Sequence, residues 1–227
     1  MVLCLFDIDH TLVDKMTGHR AAFEAGLRQV YGPGIGLGNV MMHGNTDQRI
    51  IFEAVTAAGL SENQARQGLD RCMQVMADVF ERNAGKERIT VLPGVNGLLK
   101  ALKERGVVLG LVTGNVERIA HVKLRSIGLD EFFPFGGFGS DHMDRAQLVR
   151  IAVRRAKKFG FKDGKVVLVG DTPKDIAAGR EAGVFTVAVA TGIYSVAQLN
   201  EAKADVVFKD LSDADAFLRV LTDEQSS

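Results

Sequence analysis

The chain has 227 residues, 46% of them apolar, with 28 basic and 28 acidic side chains, enough for one large or two small globular domains with a proper core. Zero formal net charge argues against nucleic acid or an anionic membrane as the main partner, and the longest apolar runs, such as Val107 to Val112, are far short of a membrane span. The opening MVLCLFD has no basic stretch before its short apolar run and soon meets acid, so it reads as a strand and not as a secretion signal, and a cytoplasmic protein is expected.

The first predicted element is a strand, Val2 to Phe6, whose unbroken apolar run suits a parallel sheet covered on both faces. From Gly18 to about Gly85 the pattern is helical, with AAFEAGLRQVY, QRIIFEAVTAAGL and ENQARQGLDRCMQVMADVF each placing apolar residues at spacings of three and four. The texture then changes. Helix Val95 to Arg105, strand Val107 to Val112, helix Val116 to Ile127, a short apolar piece at Phe132 to Phe135 and a long helix, Arg145 to Phe159, follow in turn. Strand Val166 to Val169, helix Asp175 to Ala182, strand Phe185 to Ala190, helix Val196 to Ala202, strand Asp205 to Phe208 and helix Ala214 to Leu221 complete the chain, and TDEQSS is a polar tail expected to fray. Strands alternating with helices predict an α/β fold with a parallel, doubly covered sheet. The helical block separates the first strand from the next, so it reads as an insertion that folds on its own: a cap at residues 16–87 between core segments 1–15 and 88–227. Cys4 and Cys72 lack metal-ligand spacing and are expected to be buried reduced thiols.

Three strands end in polar clusters: LCLFDID at Asp7 and Asp9, VVLGLVTGN at Thr113 and Asn115, and VVLVGDTPKD at Asp171 and Asp175. In an open parallel sheet the ligand site lies beyond the carboxyl ends of the strands, so these clusters converge on one crevice. Asp7 and Asp9 project to the same side if the chain stays extended, and four gathered carboxylates, Asp7, Asp9, Asp171 and Asp175, call for a hard cation. Oxygen ligands without His or Cys favour Mg2+. Each cluster taken alone has a plainer reading: two acids in a strand-end turn, a capped helix at TGN, and a helix-start acid favoured by the dipole at Asp175.

Taken together, DIDHT (Asp7 to Thr11), Thr113 in VTGN, and Asp171 with Asp175 in GDTPKD resemble motifs one, two and four of the haloacid dehalogenase-like phosphohydrolases. The resemblance spans essentially the whole chain, and the helical insertion right after motif one is similar to the C1 cap of that family. It implies a Rossmann-like core and a magnesium-dependent mechanism through an aspartyl-phosphate. Asp7, at the end of a rigid strand, is then the nucleophile. Asp9 is the acid and base, a task helped if its neighbours raise its pKa. Thr113 and the N–H groups of Gly114 and Asn115 hold phosphate oxygens at a helix N-terminus. Asp171 binds the metal directly and Asp175 orients it or its waters. The chain departs from the family in one motif: members usually carry a lysine, often as Lys-Pro, before the long helix that leads to motif four, and no such pair exists here. Asp141 reads as the N-cap of that helix, which places Arg145 near its first turn, where a cation opposes the dipole. A phosphate-binding role for Arg145 accounts for that placement, and an ordinary surface arginine is the other reading.

Two cap segments, VDKMTGHR and MMHGNTDQR, hold polar side chains in loops, and GNTDQ resembles cap loops of phosphoglycolate phosphatase-like members. His19, Arg20, Asn45, Thr46 and Arg49 are the candidates for substrate contact; ordinary loop residues, with Thr46 capping the next helix, are the alternative. His43 reads as structural, and YGPGIGLG follows a helix instead of a strand, so it is a flexible cap connection and not a dinucleotide loop. The expected protein is a magnesium-dependent phosphatase, monomer or homodimer, acting on a small phosphorylated metabolite, with phosphoglycolate foremost. The alternatives are a phosphomutase resembling β-phosphoglucomutase, which returns the phosphoryl group to a sugar, and a receiver-like module phosphorylated on aspartate. A dehalogenase is disfavoured, because those members need no metal and lack the second aspartate.

Overall fold

A computed structural model describes residues 1–14, 18–84 and 89–222. The expected cap boundaries at 15/16 and 87/88, and most of the polar tail, lie outside the described residues.

Six strands, β1 (Val2–Phe6), β2 (Val108–Thr113), β3 (Gly136–Phe138), β4 (Lys165–Gly170), β5 (Phe185–Val189) and β6 (Val206–Phe208), form one parallel sheet in the order β3-β2-β1-β4-β5-β6. The first strand is central, so Phe6 is flanked by Leu111 and Val169, and Asp7 N–H continues the ladder to the Val169 carbonyl at 2.9 Å. The topological switch falls between β1 and β4, where α/β sheets open a crevice for ligand. Period-two alternation sends Cys4 and Phe6 into one apolar layer with Leu98, Leu102, Phe133 and Phe217, and Leu3 and Leu5 into the opposite layer with Leu148, Val149 and Ala152. Both faces are therefore covered, which is why the strand carries no polar alternation.

Among the described residues the core helices are α4 (Val95–Glu104), α5 (Glu117–Arg125), α6 (Arg145–Ala156), α7 (Pro173–Ala182), α8 (Val196–Glu201) and α9 (Ala214–Thr222). Ahead of them, α1 (Gly18–Tyr31), α2 (Asp47–Ala57) and α3 (Glu62–Asn83) bury Phe23, Leu27, Ile51, Val55, Met76 and Phe80 in a separate apolar cluster. That cluster closes over Val116, Ile119 and Val122, so the helical insertion rests on α5. Cys4 and Cys72 are free and buried.

The three-residue strand β3 escapes periodicity because its sequence, GGF, carries little side-chain pattern. Its glycines serve close packing: a Cβ on Gly137 would lie 2.0 Å from the Leu148 carbonyl oxygen, so the lack of a side chain lets α6 press onto the sheet edge. The N-cap of α6 is Asp144, which accepts from Ala146 N–H at 2.9 Å, and not Asp141. Asp141 instead caps the end of β3 by accepting from Phe138 N–H and pairs both its oxygens with Arg155. The shift leaves Arg145 at the first position of α6, as the sequence placed it.

Candidate active site

The chain ends β1 and immediately turns. Thr11, Leu12 and Val13 all donate N–H to the Ile8 carbonyl, and His10 adopts a left-handed φ of 59°, a strained conformation for a residue with a side chain. This knot fixes Asp7 and Asp9 at the mouth of the crevice. Asp171 follows β4 directly, and Asp175 sits in the first turn of α7, where Pro173 occupies N1 and Thr172 forms a capping box with it. Asp7, Asp171 and Asp175, all buried, each offer a carboxylate oxygen within 4.8 Å of the others.

Arg145 binds this group and lines the same cavity. Its Nη2 lies 3.0 Å from Asp7 Oδ1 and its Nε donates to Asp175 Oδ1 at 2.7 Å, with the guanidinium almost wholly buried. The other Asp175 oxygen accepts from Thr172 N–H and Oγ1, so that carboxylate is saturated and rigid. Burial pushes the carboxyls of Asp7 and Asp171 well above the usual range. Neighbouring acids reinforce the rise, and Arg145 offsets only part of it. If all three acids are ionised, their charge exceeds that of the single guanidinium among them, and the donors are all oxygen. The residues therefore fit a hard divalent cation.

Asp9, grouped with those ligands by the sequence, is placed differently. Both of its carboxylate oxygens accept from Lys123 Nζ, at 2.7 and 2.8 Å, and Asn115 Nδ2 donates to Oδ2 at 2.8 Å. Burial opposes the charge on Asp9, but Lys123, then His19, and these hydrogen bonds outweigh it and hold the carboxyl below its ordinary range. The neighbours of Asp9 thus lower its pKa and do not raise it, because Lys123 lies against the carboxylate. Lys123 falls in the stripe Val116, Ile119, Ala120, Lys123, Ile127, at spacings that face the interior. A cation in an apolar stripe was the available signal.

Thr113 ends β2, fully buried, and its Oγ1 accepts from Asn115 Nδ2 at 2.6 Å. Gly114 brings the insertion close: a Cβ there would lie 2.3 Å from the Asn45 carbonyl oxygen, and its own carbonyl accepts from Asp47 N–H at 2.8 Å. The amides that begin α5 are also engaged, Val116 N–H with Asp47 Oδ2 and Glu117 N–H with Ser140 Oγ.

Asp7, Asp9, Thr113, Gly114, Asn115, Arg145 and Asp171 line one cavity of about 240 Å³, roofed by the insertion with His19, Arg20, His43 and Asn45. Arg20 meets the Met42 sulfur at 3.9 Å, and Asn45 accepts from Lys174 at its rim. Thr46 and Arg49 do not reach this cavity: the Thr46 hydroxyl caps α2 and donates to the Met143 carbonyl, and Arg49 pairs with Glu53 outside. His43, expected to be structural, lies in the wall beside His10, their rings 6.1 Å apart. Asp47, unassigned from sequence, is buried and bonds His19 Nε2 at 3.1 Å.

Residues 1–183 match the haloacid dehalogenase-like hydrolase family. The chain belongs to the haloacid dehalogenase-like hydrolases. As a member of that hydrolase family it is an enzyme, and its six-stranded parallel sheet with flanking helices is the fold of its structural neighbours. A phosphoglycolate phosphatase of Pseudomonas syringae pv. tomato is 29% identical over 92% of this chain and 76% of its own length. The phosphoglycolate phosphatase of Escherichia coli K12 is 24% identical over 92% and 88%. The crystal structure of a hydrolase from Pseudomonas syringae superposes with a TM-score of 0.68 at 23% identity, covering 98% of this chain and 100% of that one. No helix among the described residues is long and apolar enough to cross a membrane.

Proposed function

We propose that this hydrolase is a magnesium-dependent phosphatase of small phosphomonoesters, with phosphoglycolate the first candidate, working through an aspartyl-phosphate on Asp7. The observation that carries the reading is Asp7 itself: a carboxylate at the end of the central strand, fixed by Arg145, beside Asp171 and Asp175, and open to a small roofed cavity. Asp7 and Asp171 are the proposed Mg2+ ligands, with Asp175 holding Arg145 and supporting the group. A bound Mg2+ supplies positive charge for the phosphoryl oxygens and keeps the acids ionised.

In the first step an Asp7 oxygen attacks phosphorus, the ester P–O bond breaks and the leaving oxygen takes a proton from Asp9 to depart as the alcohol, which splits one hard displacement into two. Thr113 Oγ1, the backbone around Gly114 and Asn115, and the Arg145 guanidinium surround the place where the transferred oxygens lie. In the second step water attacks phosphorus, the bond to Asp7 breaks, and Asp9 takes the water proton. The charged state imposed on Asp9 by Lys123 suits it to that second proton transfer. The size of the cavity beneath the insertion limits substrate size. That the relatives in Pseudomonas syringae and Escherichia coli are phosphoglycolate phosphatases supports this substrate class.

The test is release of inorganic phosphate from phosphoglycolate and a panel of small phosphomonoesters, with Mg2+ and with EDTA. One phosphate per ester consumed, abolished by EDTA, is the expected result. Loss of a phosphosugar without free phosphate would instead establish the mutase, and no turnover of any ester by folded protein would overturn the reading.

Metal dependence should also appear in stability. Asp7 and Asp171 titrate above their unfolded values, so folded metal-free protein binds more protons than unfolded chain, and its stability falls as pH rises above the ordinary carboxyl range of about 3.9. Mg2+ competes with those protons, so the thermal shift on adding it should be larger at about pH 8.5 than at about pH 5.5. Differential scanning fluorimetry at both pH values checks this; equal shifts would remove Asp7 and Asp171 from the ligand set.

A further inference from the structure

Lys123 is fully buried, an unusual state for a lysine, and the mechanism above gives it no direct role. Its ammonium has three N–H donors and three oxygens to receive them: Asp9 Oδ1 at 2.7 Å, Asp9 Oδ2 at 2.8 Å and Asn115 Oδ1 at 2.8 Å. His19 Nδ1 lies 3.5 Å away, while the opposite ring nitrogen, Nε2, meets Asp47 Oδ2 at 3.1 Å. Phe80 covers the group, its ring centroid 6.0 Å from Nζ, and His19 is stacked on Phe23 at 5.0 Å. Lys123 comes from α5 of the core, whereas His19, Phe23, Asp47 and Phe80 come from α1, α2 and α3 of the insertion. A chain of contacts therefore runs from Asp47 through His19 and Lys123 to Asp9.

We infer that Lys123, supported by His19, is a positioning residue that clamps Asp9 for the hydrolysis of the phosphoenzyme. The inference rests on the phosphatase reading. In that step water adds to phosphorus, the P–O bond to Asp7 breaks to restore its carboxylate, the water proton goes to Asp9, and phosphate leaves. Gripping both Asp9 oxygens fixes the carboxylate plane relative to the incoming water. A carboxylate held by Asn115 alone can swing, and misplacement by about 1 Å costs on the order of 10²-fold. The insertion contributes by enclosing the ammonium, so its helices help complete the acid and base residue as well as roof the cavity.

The test separates the two chemical steps. p-Nitrophenyl phosphate expels nitrophenolate without needing a proton, so its first step is insensitive to Asp9. Lys123→Met preserves length and suits the apolar surroundings. With this variant and Mg2+, rapid-mixing assays should show a burst of nearly one nitrophenolate per enzyme, then steady turnover lowered roughly 10²-fold. His19→Gln, which leaves Lys123 in place, should lower steady turnover less, by about 10-fold or below, and also show a burst. A purely structural role would lower both phases together. Loss of turnover without a burst in folded Lys123→Met, or wild-type turnover in that variant, would overturn the inference. If Lys123→Met does not fold, His19→Gln decides alone: unchanged turnover, or a loss with no burst, counts against the clamp. A wild-type enzyme with no magnesium-dependent release of nitrophenolate would instead sink the phosphatase reading, so the two failures are distinguishable.

Discussion

Asp7→Asn should abolish turnover, with a loss of about 10⁴-fold or more in kcat/KM on any ester the wild type hydrolyses. The amide keeps the size and shape of the side chain but cannot attack phosphorus, and it removes one proposed ligand to Mg2+. The expected thermal behaviour is opposite in sign. Burial and the neighbouring acids make ionised Asp7 costly in the metal-free protein, so the amide should leave the metal-free Tm unchanged or higher near pH 8. Arg145 retains Asp175 as partner, which protects the guanidinium. The magnesium-induced thermal shift should shrink markedly. Parallel kinetics and scanning fluorimetry check both halves. Retained turnover would move the nucleophile elsewhere, and a collapsed fold would show that Asp7 is a structural partner of Arg145 and not primarily a reacting group.

Arg145→Ala is the second large effect. Arg145 Nη2 bridges Asp7 and Asp175, and both acids are buried. Removing one partner of a buried ionic group leaves charges uncompensated, which typically costs about 3–5 kcal/mol. Turnover should fall about 10²- to 10³-fold, the scale for losing a preorganised group that meets transition-state charge. Arg145→Lys should rescue little of either effect, because an ammonium is a single point of charge and cannot span two carboxylates as the guanidinium fork does. Added Mg2+ should restore part of the stability of Arg145→Ala but not its rate, since the cation offsets the acids while the contact to the phosphoryl oxygens stays lost. An alanine variant with near wild-type turnover would assign the role to another cation.

The parallel sheet and the helical insertion were legible because their signals are local. An apolar run such as Val2 to Phe6, with no polar alternation, needs cover on both faces, and periodic apolar residues over some 22 positions in α3 need a helix. The acids were legible because like charges ending a buried strand are costly without a cationic partner. Other features were hidden for physical reasons. β3 is three residues of GGF, and its pairing depends on α6 pressing onto the sheet, which no local pattern records. Asp141 and Asp144 are both plausible caps by type, and the choice was made by Arg155 reaching back from α6 to hold Asp141.

The sequence by itself determined the α/β class, the strand-end acids, and the cation at the start of α6, since each follows from residue type and spacing along a continuous segment. Only the tertiary structure decided how the acids are divided. Asp7, Asp171 and Asp175 form one group around Arg145, while Asp9, two residues from Asp7, turns to Lys123, which lies 114 positions away along the chain. The reason is geometric. The turn after β1 sends Asp9 toward α5, and the α1–α3 helices seal that junction, so a lysine in an apolar stripe meets a carboxylate that no sequence period relates to it.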